Sequence, residues 1–221
     1  DITIENNYVG SNMYSLNGGG GILCGFSIGD EILQLDMENV SIIGNTANIG
    51  AGIGALSGTL TGNRLLITQN VGPYGSAIAL GEPLGLVIGN ISMNIKGSTI
   101  SHNTGLLGIG MINSASLDAV NTIFWNNGDV EFSPLPNNDQ LNLDFNYCDS
   151  EDEWIGTGNI NLNPIFVDAG NLNFTLSSTS PCIDAGTADT NMDGSDDMLN
   201  YTGSAPDMGV FEFDEGDCGT N

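Results

Sequence analysis

One pattern is repeated in three stretches of the chain. Each stretch has a central asparagine, with an isoleucine three residues before it, a glycine five residues after it and a large apolar residue eight after it. The stretches are residues 41–53 (SIIGNTANIGAGI, around Asn45), 66–78 (LITQNVGPYGSAI, around Asn70) and 99–111 (TISHNTGLLGIGM, around Asn103), and their last apolar residues are Ile53, Ile78 and Met111. A repeat of this length predicts a solenoid in which each copy supplies one coil.

The asparagine position extends beyond these three stretches. An apolar residue precedes a further asparagine by three positions at several places, at intervals typical of solenoid repeats. When an asparagine recurs once per coil, its side-chain amide can donate to the asparagine of one neighbouring coil and accept from that of the other. Such a ladder satisfies polar groups that would otherwise be buried without partners in the turns. The predicted ladder consists of Asn7, Asn45, Asn70, Asn103, Asn126 and Asn146.

The apolar segments between the asparagines are short and alternate with polar residues, as in LLIT at 65–68. A period of two over four to eight residues predicts strands, and no segment has the 3.6-residue period of an amphipathic helix. The 32 glycines suit tight turns. We therefore expect an all-β parallel β-helix solenoid, with coils over residues 1–147. Residues 148–221 should hold the last coil or coils and an irregular, acidic C-terminal cap.

The charge of the chain is strongly negative. Asp and Glu number 27 against two basic residues, giving a formal net charge of -25, while 40% of the residues are hydrophobic. The hydrophobic content indicates a folded chain rather than an acidic disordered tail. Such a surface repels nucleic acid, and no apolar run is long enough to cross a bilayer. The composition thus predicts no nucleic-acid partner and no membrane insertion, and it favours bound cations.

The four cysteines are Cys24, Cys148, Cys182 and Cys218. Their spacing does not match a zinc site, and an even count fits an oxidising compartment. Four cysteines allow three disulfide connectivities, and the sequence does not choose between them. The pair Cys148 and Cys182 is the candidate disulfide because both lie in the C-terminal part.

Three C-terminal segments resemble a common ending of secreted bacterial right-handed parallel β-helix proteins, the pectin-lyase-like superfamily. The segments are GNINLNPIFVD (158–168), LNFTLSSTSPCIDAG (172–186) and APDMGVFEF (205–213). The repeats also resemble those of this family. The resemblance implies a right-handed solenoid and a location outside the cell or on the bacterial cell surface.

The acidic stretch DTNMDGSDD (189–197) is the candidate metal site. Oxygen-bearing side chains alternate along it and Gly194 permits a sharp turn, which is the first half of a D-x-N-x-D-G calcium loop. The expected Ca²⁺ ligands are Asp189, Asn191, Asp193, Ser195 through its carbonyl, and Asp197. Asn200 occupies the twelfth position, where an EF-hand has glutamate, so this is not an EF-hand. A solvated acidic turn is the alternative.

Two other acids and the single histidine have structural explanations as well as functional ones. Asp184 and Asp207 could contact a metal or a sugar, but short aspartates in turns more often accept backbone N–H groups, so we expect turn caps. His102 precedes Asn103, in a slot that holds Gly44 and Gln69 in other repeats. That variety indicates an outward or turn position rather than a catalytic base.

Arg64 and Lys96 are the only basic side chains and lie on neighbouring repeats. The family resemblance makes them the candidate catalytic residues, because polysaccharide lyases with this fold remove a proton with a basic side chain. The alternative is that they are two ordinary surface residues. We expect a non-catalytic structural, adhesive or glycan-binding module, whose partner is a polysaccharide or copies of itself. A polysaccharide lyase or glycoside hydrolase acting on an acidic glycan is the second hypothesis.

Overall fold

The computed structural model describes residues 1–9, 19–25, 33–81, 90–111, 115–134 and 142–214. Cys218 lies outside the described residues, so its part in a disulfide stays a prediction. The described residues form 18 strands and one 3₁₀ helix of three residues, Ala169–Asn171. No described helix has the length and apolar character needed to cross a membrane.

Sixteen of the strands form three parallel sheets. The first sheet contains β1 (Ile2–Glu5), β4 (Val40–Ile43), β7 (Leu66–Thr68), β10 (Thr99–Ser101), β13 (Ile123–Trp125) and β16 (Asp149–Ser150). The second contains β2 (Ile22–Cys24), β5 (Ile53–Ala55), β8 (Ile78–Leu80), β11 (Leu107–Met111) and β14 (Val130–Pro134). The third contains β3 (Gln34–Glu38), β6 (Gly58–Asn63), β9 (Ile91–Lys96), β12 (Ala115–Val120) and β15 (Asn142–Asn146).

The chain visits the three sheets in rotation. Each strand pairs in parallel with the strand three places later in the chain, so that β1 pairs with β4 and β4 with β7. Three strands therefore make one coil, and β16 begins a sixth coil after five complete ones. This arrangement confirms the predicted all-β parallel β-helix solenoid.

The core is built from columns of apolar side chains at equal register in successive coils. In the first sheet Ile42, Ile67, Ile100 and Phe124 lie opposite one another and are completely buried. Completely burying side chains of this size contributes about 1.5–3 kcal/mol each. The isoleucine three residues before the ladder asparagine is thus a core residue, and its partner in the fifth coil is a phenylalanine.

The third repeated stretch differs in register from the alignment made by sequence. Ile109 pairs with Ile78, so Ile109 rather than Met111 continues the column that begins with Ile53. Val71 bridges Thr104 at the start of the same turn, which makes this turn two residues shorter in the fourth coil. The shorter corner leaves the strands on either side of it in register, since a corner tolerates a change in length that a paired strand does not.

The corners between sheets use left-handed backbone conformations that recur in columns. The residue after each first-sheet strand has a positive φ in five coils: Asn6, Gly44, Gln69, His102 and Asn126. A residue one or two positions before five of the first-sheet strands also has a positive φ: Asn39, Arg64, Gly97, Asn121 and Tyr147. Only some of these residues are of the types that favour positive φ, so the repeated corner geometry overrides local preference.

The C-terminal part closes the solenoid and then returns along its side. Trp154 packs on the core beside Phe132 and Phe145, where it covers the last coil. Two antiparallel strands follow, β17 (Phe166–Asp168) and β18 (Asn173–Leu176). Residues 182–213, called the strap below, have no strands or helices and bond to the third-to-first corner of the solenoid.

Candidate functional site

Four of the six predicted ladder asparagines form one hydrogen-bonded column. The side-chain amide of Asn7 donates to Asn45 Oδ1 at 2.9 Å, that of Asn45 to Asn70 Oδ1 at 3.0 Å, and that of Asn70 to Asn103 Oδ1 at 2.9 Å. The amides of Asn45, Asn70 and Asn103 also donate to the carbonyl oxygens of Ile4, Ile42 and Ile67. Both donors of each of these amides are therefore satisfied inside the protein.

The other two predicted ladder residues are outside the column. Asn127 takes the next place, because Asn103 Nδ2 donates to Asn127 Oδ1 at 2.7 Å, whereas Asn126 is exposed at the corner. The sequence alignment placed Ile123 where the structure has Phe124, which shifted the asparagine by one residue. Asn146 instead donates to Asp144 Oδ1 at 3.0 Å and accepts the N–H of Thr157.

The acidic loop 189–197 is folded around its own side chains. Asp189 accepts the N–H groups of Asp193 and Gly194, at 3.0 and 2.7 Å. Asp197 accepts the Thr190 hydroxyl at 2.7 Å and the Asn191 amide at 3.0 Å. Gly194 has a φ of 92°, as the sharp turn predicted from the sequence requires.

The donor chemistry of this loop suits Ca²⁺, although the described residues hold no preformed metal cluster. No three His, Cys, Asp or Glu side chains among the described residues are grouped in a way that could hold a metal ion. Carboxylate oxygens keep further lone pairs after accepting an N–H group. The donor set that could supply hard oxygen ligands consists of Asp189, Asn191, Asp193, Asp197 and the Ser195 carbonyl, and the loop would have to rearrange to bring them together.

Arg64 and Lys96 line one cavity of about 390 Å³ between the solenoid and the strap. Lys96 is opposite Asn63 in the third sheet, and Arg64 follows directly at the corner with a φ of 55°. Lys96 Nζ donates to Thr190 Oγ1 at 3.1 Å. The two basic residues thus share a groove, but Lys96 is already bonded to the strap and Asp197 and Glu38 also line the groove.

A second cavity of about 410 Å³ lies beside the first, and Lys96 and Thr190 line both. Asp118 and Asp144 are opposite one another in the third sheet and line this second cavity. Burial, followed by the charge of Asp144, raises the pKa of Asp118. The third sheet therefore brings together two acids that are 26 residues apart in the chain.

Asp184 and Asp207 fasten turns of the strap. Asp184 Oδ1 accepts the N–H groups of Ser204 and Ala205, at 2.7 and 3.2 Å. The hydrogen bonds from Ala205 and then Ser204 lower the pKa of Asp184. Asp207 accepts the N–H of Asp184 at 2.7 Å and that of Phe213. These contacts are those expected of turn caps.

His102 lies at a corner and contacts the C-terminal hairpin. Its φ is 57°, its ring meets Phe174 edge-on at 5.7 Å, and its Nδ1 is 2.7 Å from the Ser101 hydroxyl. Burial lowers the pKa of His102, and the charge of Glu151 opposes that effect. The histidine therefore occupies the predicted turn position and helps to hold the hairpin against the solenoid.

The candidate disulfide between Cys148 and Cys182 is not formed, since both residues are buried free thiols. Cys148 belongs to the solenoid core, whereas Cys182 packs in a separate cluster with Ile123, Leu176 and Met208. Cys182 Sγ donates to Asp149 Oδ2 at 3.1 Å. Cys148 directly precedes Asp149, the first residue of β16, so their side chains point to opposite faces of the strand. Because Cys182 contacts Asp149, its thiol lies on the face opposite to that of Cys148.

Sequence reasoning missed two buried carboxyl groups. Asp149 is completely buried in β16 and accepts the N–H of Leu162 at 3.1 Å. Glu131 in β14 is 5% exposed and accepts the side-chain amide of Asn127. The sequence gives only a weak indication that these acids are buried. Glu131 precedes the buried Phe132, in VEF, and Asp149 follows the buried Cys148, in CDS.

Comparison with known proteins adds no family to this fold. No family model matches the chain, and no curated protein or solved structure is similar to it beyond the level expected by chance. The class of protein is therefore defined by the structure alone: an all-β solenoid of three parallel sheets with a long C-terminal strap.

Proposed function

We propose that the chain is a non-catalytic β-helix module of a secreted or cell-surface protein, with a structural, adhesive or glycan-binding role and a C-terminal part stabilised by Ca²⁺. The resemblance of its repeats and ending to bacterial pectin-lyase-like proteins supports this placement. The observation that carries the proposal is the contact between Lys96 and the strap. The side chain most suited to removing a proton is bonded to Thr190, beside the carboxylate of Asp197.

The role of Ca²⁺ is supported by the position of the acidic loop. Thr190 and Asp197 belong to this loop and also to the contact with Lys96, so an ion that orders the loop would hold the strap on the solenoid. The high negative charge of the chain would itself attract the ion. Extracellular modules commonly bind calcium with dissociation constants of roughly 0.1–1 mM, which fits a role outside the cell.

Calorimetric and thermal titration with Ca²⁺ tests this proposal. We expect the melting temperature to rise with Ca²⁺, and hydrogen exchange across residues 187–200 to slow. The double variant Asp189→Asn, Asp193→Asn should lose both effects, whereas Asp168→Asn, which removes an exposed acid outside the loop, should keep them. No heat of binding and no change in exchange would refute the calcium part of the proposal.

A polysaccharide lyase acting on an acidic glycan is the second candidate, because Arg64 and Lys96 line the same groove. Incubation with pectate or alginate and Ca²⁺ would reveal it as new unsaturated ends. Formation of product that is lost in both Lys96→Ala and Arg64→Ala would establish catalysis and overturn the non-catalytic proposal.

A further inference from the structure

The asparagine ladder has a direction and an end. Every side-chain amide donates towards the following coil, from Asn7 through Asn45, Asn70 and Asn103 to Asn127. Asn127 Nδ2 therefore needs an acceptor where the ladder stops. One of its donors goes to the Ile100 carbonyl at 2.8 Å, and the other goes to Glu131 Oε1. A carboxyl group thus takes the place that an asparagine oxygen holds in every earlier coil.

Glu131 is enclosed at this position. Its side chain is 5% exposed, and its second oxygen, Oε2, is buried without a hydrogen-bond partner. Gly108 lies across from it, between the register pairs Leu107 with Val130 and Ile109 with Phe132. A Cβ atom on Gly108 would be 2.2 Å from the Asn127 carbonyl oxygen, so the absence of a side chain there leaves room for the end of the ladder.

Among the described residues, the charged groups that act on Glu131 are all negative. They are Glu151 and Asp152, in the segment that follows β16, while β11 on the other side contributes no ionisable side chain. Burial is the largest effect and raises the pKa of Glu131 from 4.5 to about 8, with Glu151 and Asp152 adding to it and the bond from Asn127 opposing it. At neutral pH the carboxyl is therefore mostly protonated.

Residues 151–160, called the end segment below, pack on the last coil beside this carboxyl. Glu151 donates its N–H to the Phe124 carbonyl at 3.2 Å, and Trp154 meets Phe132 edge-on at 5.5 Å. An ionised Glu131 would face two further negative charges and would have hydrogen bonds from Asn127 alone, with its Oε2 left without a partner. The least costly response is for the carboxylate to move to water, which requires the end segment to lift.

We propose that Glu131 is a proton-controlled plug of the asparagine ladder: its neutral form keeps the end segment closed on the last coil, and its ionised form opens this end of the solenoid. An opened end would present the Asn127 amide and the core aromatics Phe132 and Phe145 to solvent. The site would thus be sensitive to alkaline conditions, independently of Ca²⁺ at the acidic loop.

The test follows the end segment of the whole chain between about pH 6 and about pH 9. In a Trp125→Phe background, emission from Trp154 reports on the end segment, and hydrogen exchange of residues 151–160, corrected for the intrinsic pH effect, reports on its opening. We expect one transition with a midpoint near pH 8. In Glu131→Gln, which keeps an oxygen acceptor for Asn127 and does not ionise, the transition should be absent.

A substitution of a neighbouring acid distinguishes control by the proton on Glu131 from a purely structural role of this residue. Glu151→Gln removes one of the two negative neighbours, so Glu131 should ionise more easily and the midpoint should move to lower pH. This measurement also decides the matter if Glu131→Gln does not fold. A transition that persists in Glu131→Gln, a midpoint that does not move in Glu151→Gln, or no transition in the unmodified chain would each overturn the proposal.

Discussion

Asn45 and Asn70 are 25 residues apart in the chain, yet both the backbone N–H and the side-chain amide of Asn45 donate to Asn70 Oδ1, at 2.9 and 3.0 Å. The same double contact links Asn70 to Asn103. One asparagine oxygen therefore satisfies two donors of the preceding coil in a buried position. This relationship links successive coils at a corner, beside the strand pairing of the first sheet.

Replacing Asn70 with alanine should destabilise the protein by about 3–5 kcal/mol, because the variant leaves the Asn45 amide and N–H and the Asn103 oxygen short of partners in the core. The measurement is the free energy of unfolding in urea. The matched control is Asn126→Gly, which removes an exposed corner amide and keeps the positive φ available. This control should change stability by less than about 0.5 kcal/mol; equal losses in the two variants would contradict the structural role of the ladder.

Replacing Gly105 with alanine should be among the most damaging small changes. A Cβ atom at Gly105 would lie 1.8 Å from the carbonyl oxygen of Gly72 in the neighbouring coil, so the two coils would have to separate. We expect a loss of several kcal/mol or failure to fold, compared with the roughly 1–3 kcal/mol typical of overpacking in a deformable core. Gly170→Ala is the control, since its nearest neighbour would be 3.7 Å away. Similar melting temperatures for both variants would show that the coils can yield.

The buried carboxyl of Asp149 should make the free energy of unfolding depend on pH, with stability falling as the pH rises through about 6. Burial raises the pKa of Asp149 from 3.8 to about 6, so the folded state holds this proton more tightly than the unfolded state does. The resulting stability is fully present below about pH 3.8 and is lost as the pH passes 6. The contribution is at most about 3 kcal/mol for a shift of this size.

The variant Asp149→Asn isolates that contribution. Unfolding free energies measured from about pH 4 to about pH 7 should show a flatter profile in the variant than in the unmodified chain. The carboxyl of Glu131 titrates over an overlapping range, so the comparison is best made in the Glu131→Gln background. Unchanged slopes in Asp149→Asn would mean that another group causes the pH dependence.

The contact between Lys96 and Thr190 should be worth about 1 kcal/mol. A double-mutant cycle with Lys96→Met and Thr190→Val measures the coupling directly, because each variant removes one partner while keeping most of the side-chain volume. We also expect either variant to speed proteolysis of residues 189–200, because Lys96 bonds the acidic loop to the solenoid. Zero coupling, together with unchanged proteolysis, would show that the strap is held by its other contacts alone.

The sequence alone determined the solenoid and most of its ladder. Strand period, glycine-rich corners and the recurring asparagine were sufficient because each is a local signal repeated in every coil, and equivalent positions in a solenoid must lie above one another. The same logic failed at two places. Asn126 and Asn127 each follow an apolar residue by three positions, and the alignment chose Asn126. In the fourth coil a corner shorter by two residues puts Ile109 where the alignment placed Met111.

Tertiary structure decided what repetition does not control. The strap has no repeat, so only the folded chain revealed that Lys96 meets Thr190 and that Cys148 and Cys182 belong to different clusters. Likewise, Glu131 and Asp149 look like ordinary acids in the sequence, and only the folded chain revealed that both are buried. Burial depends on contacts between residues far apart in the chain, so it could be known only from the structure. Periodicity is a property of residues close together in the chain, so it could be recognised in the sequence.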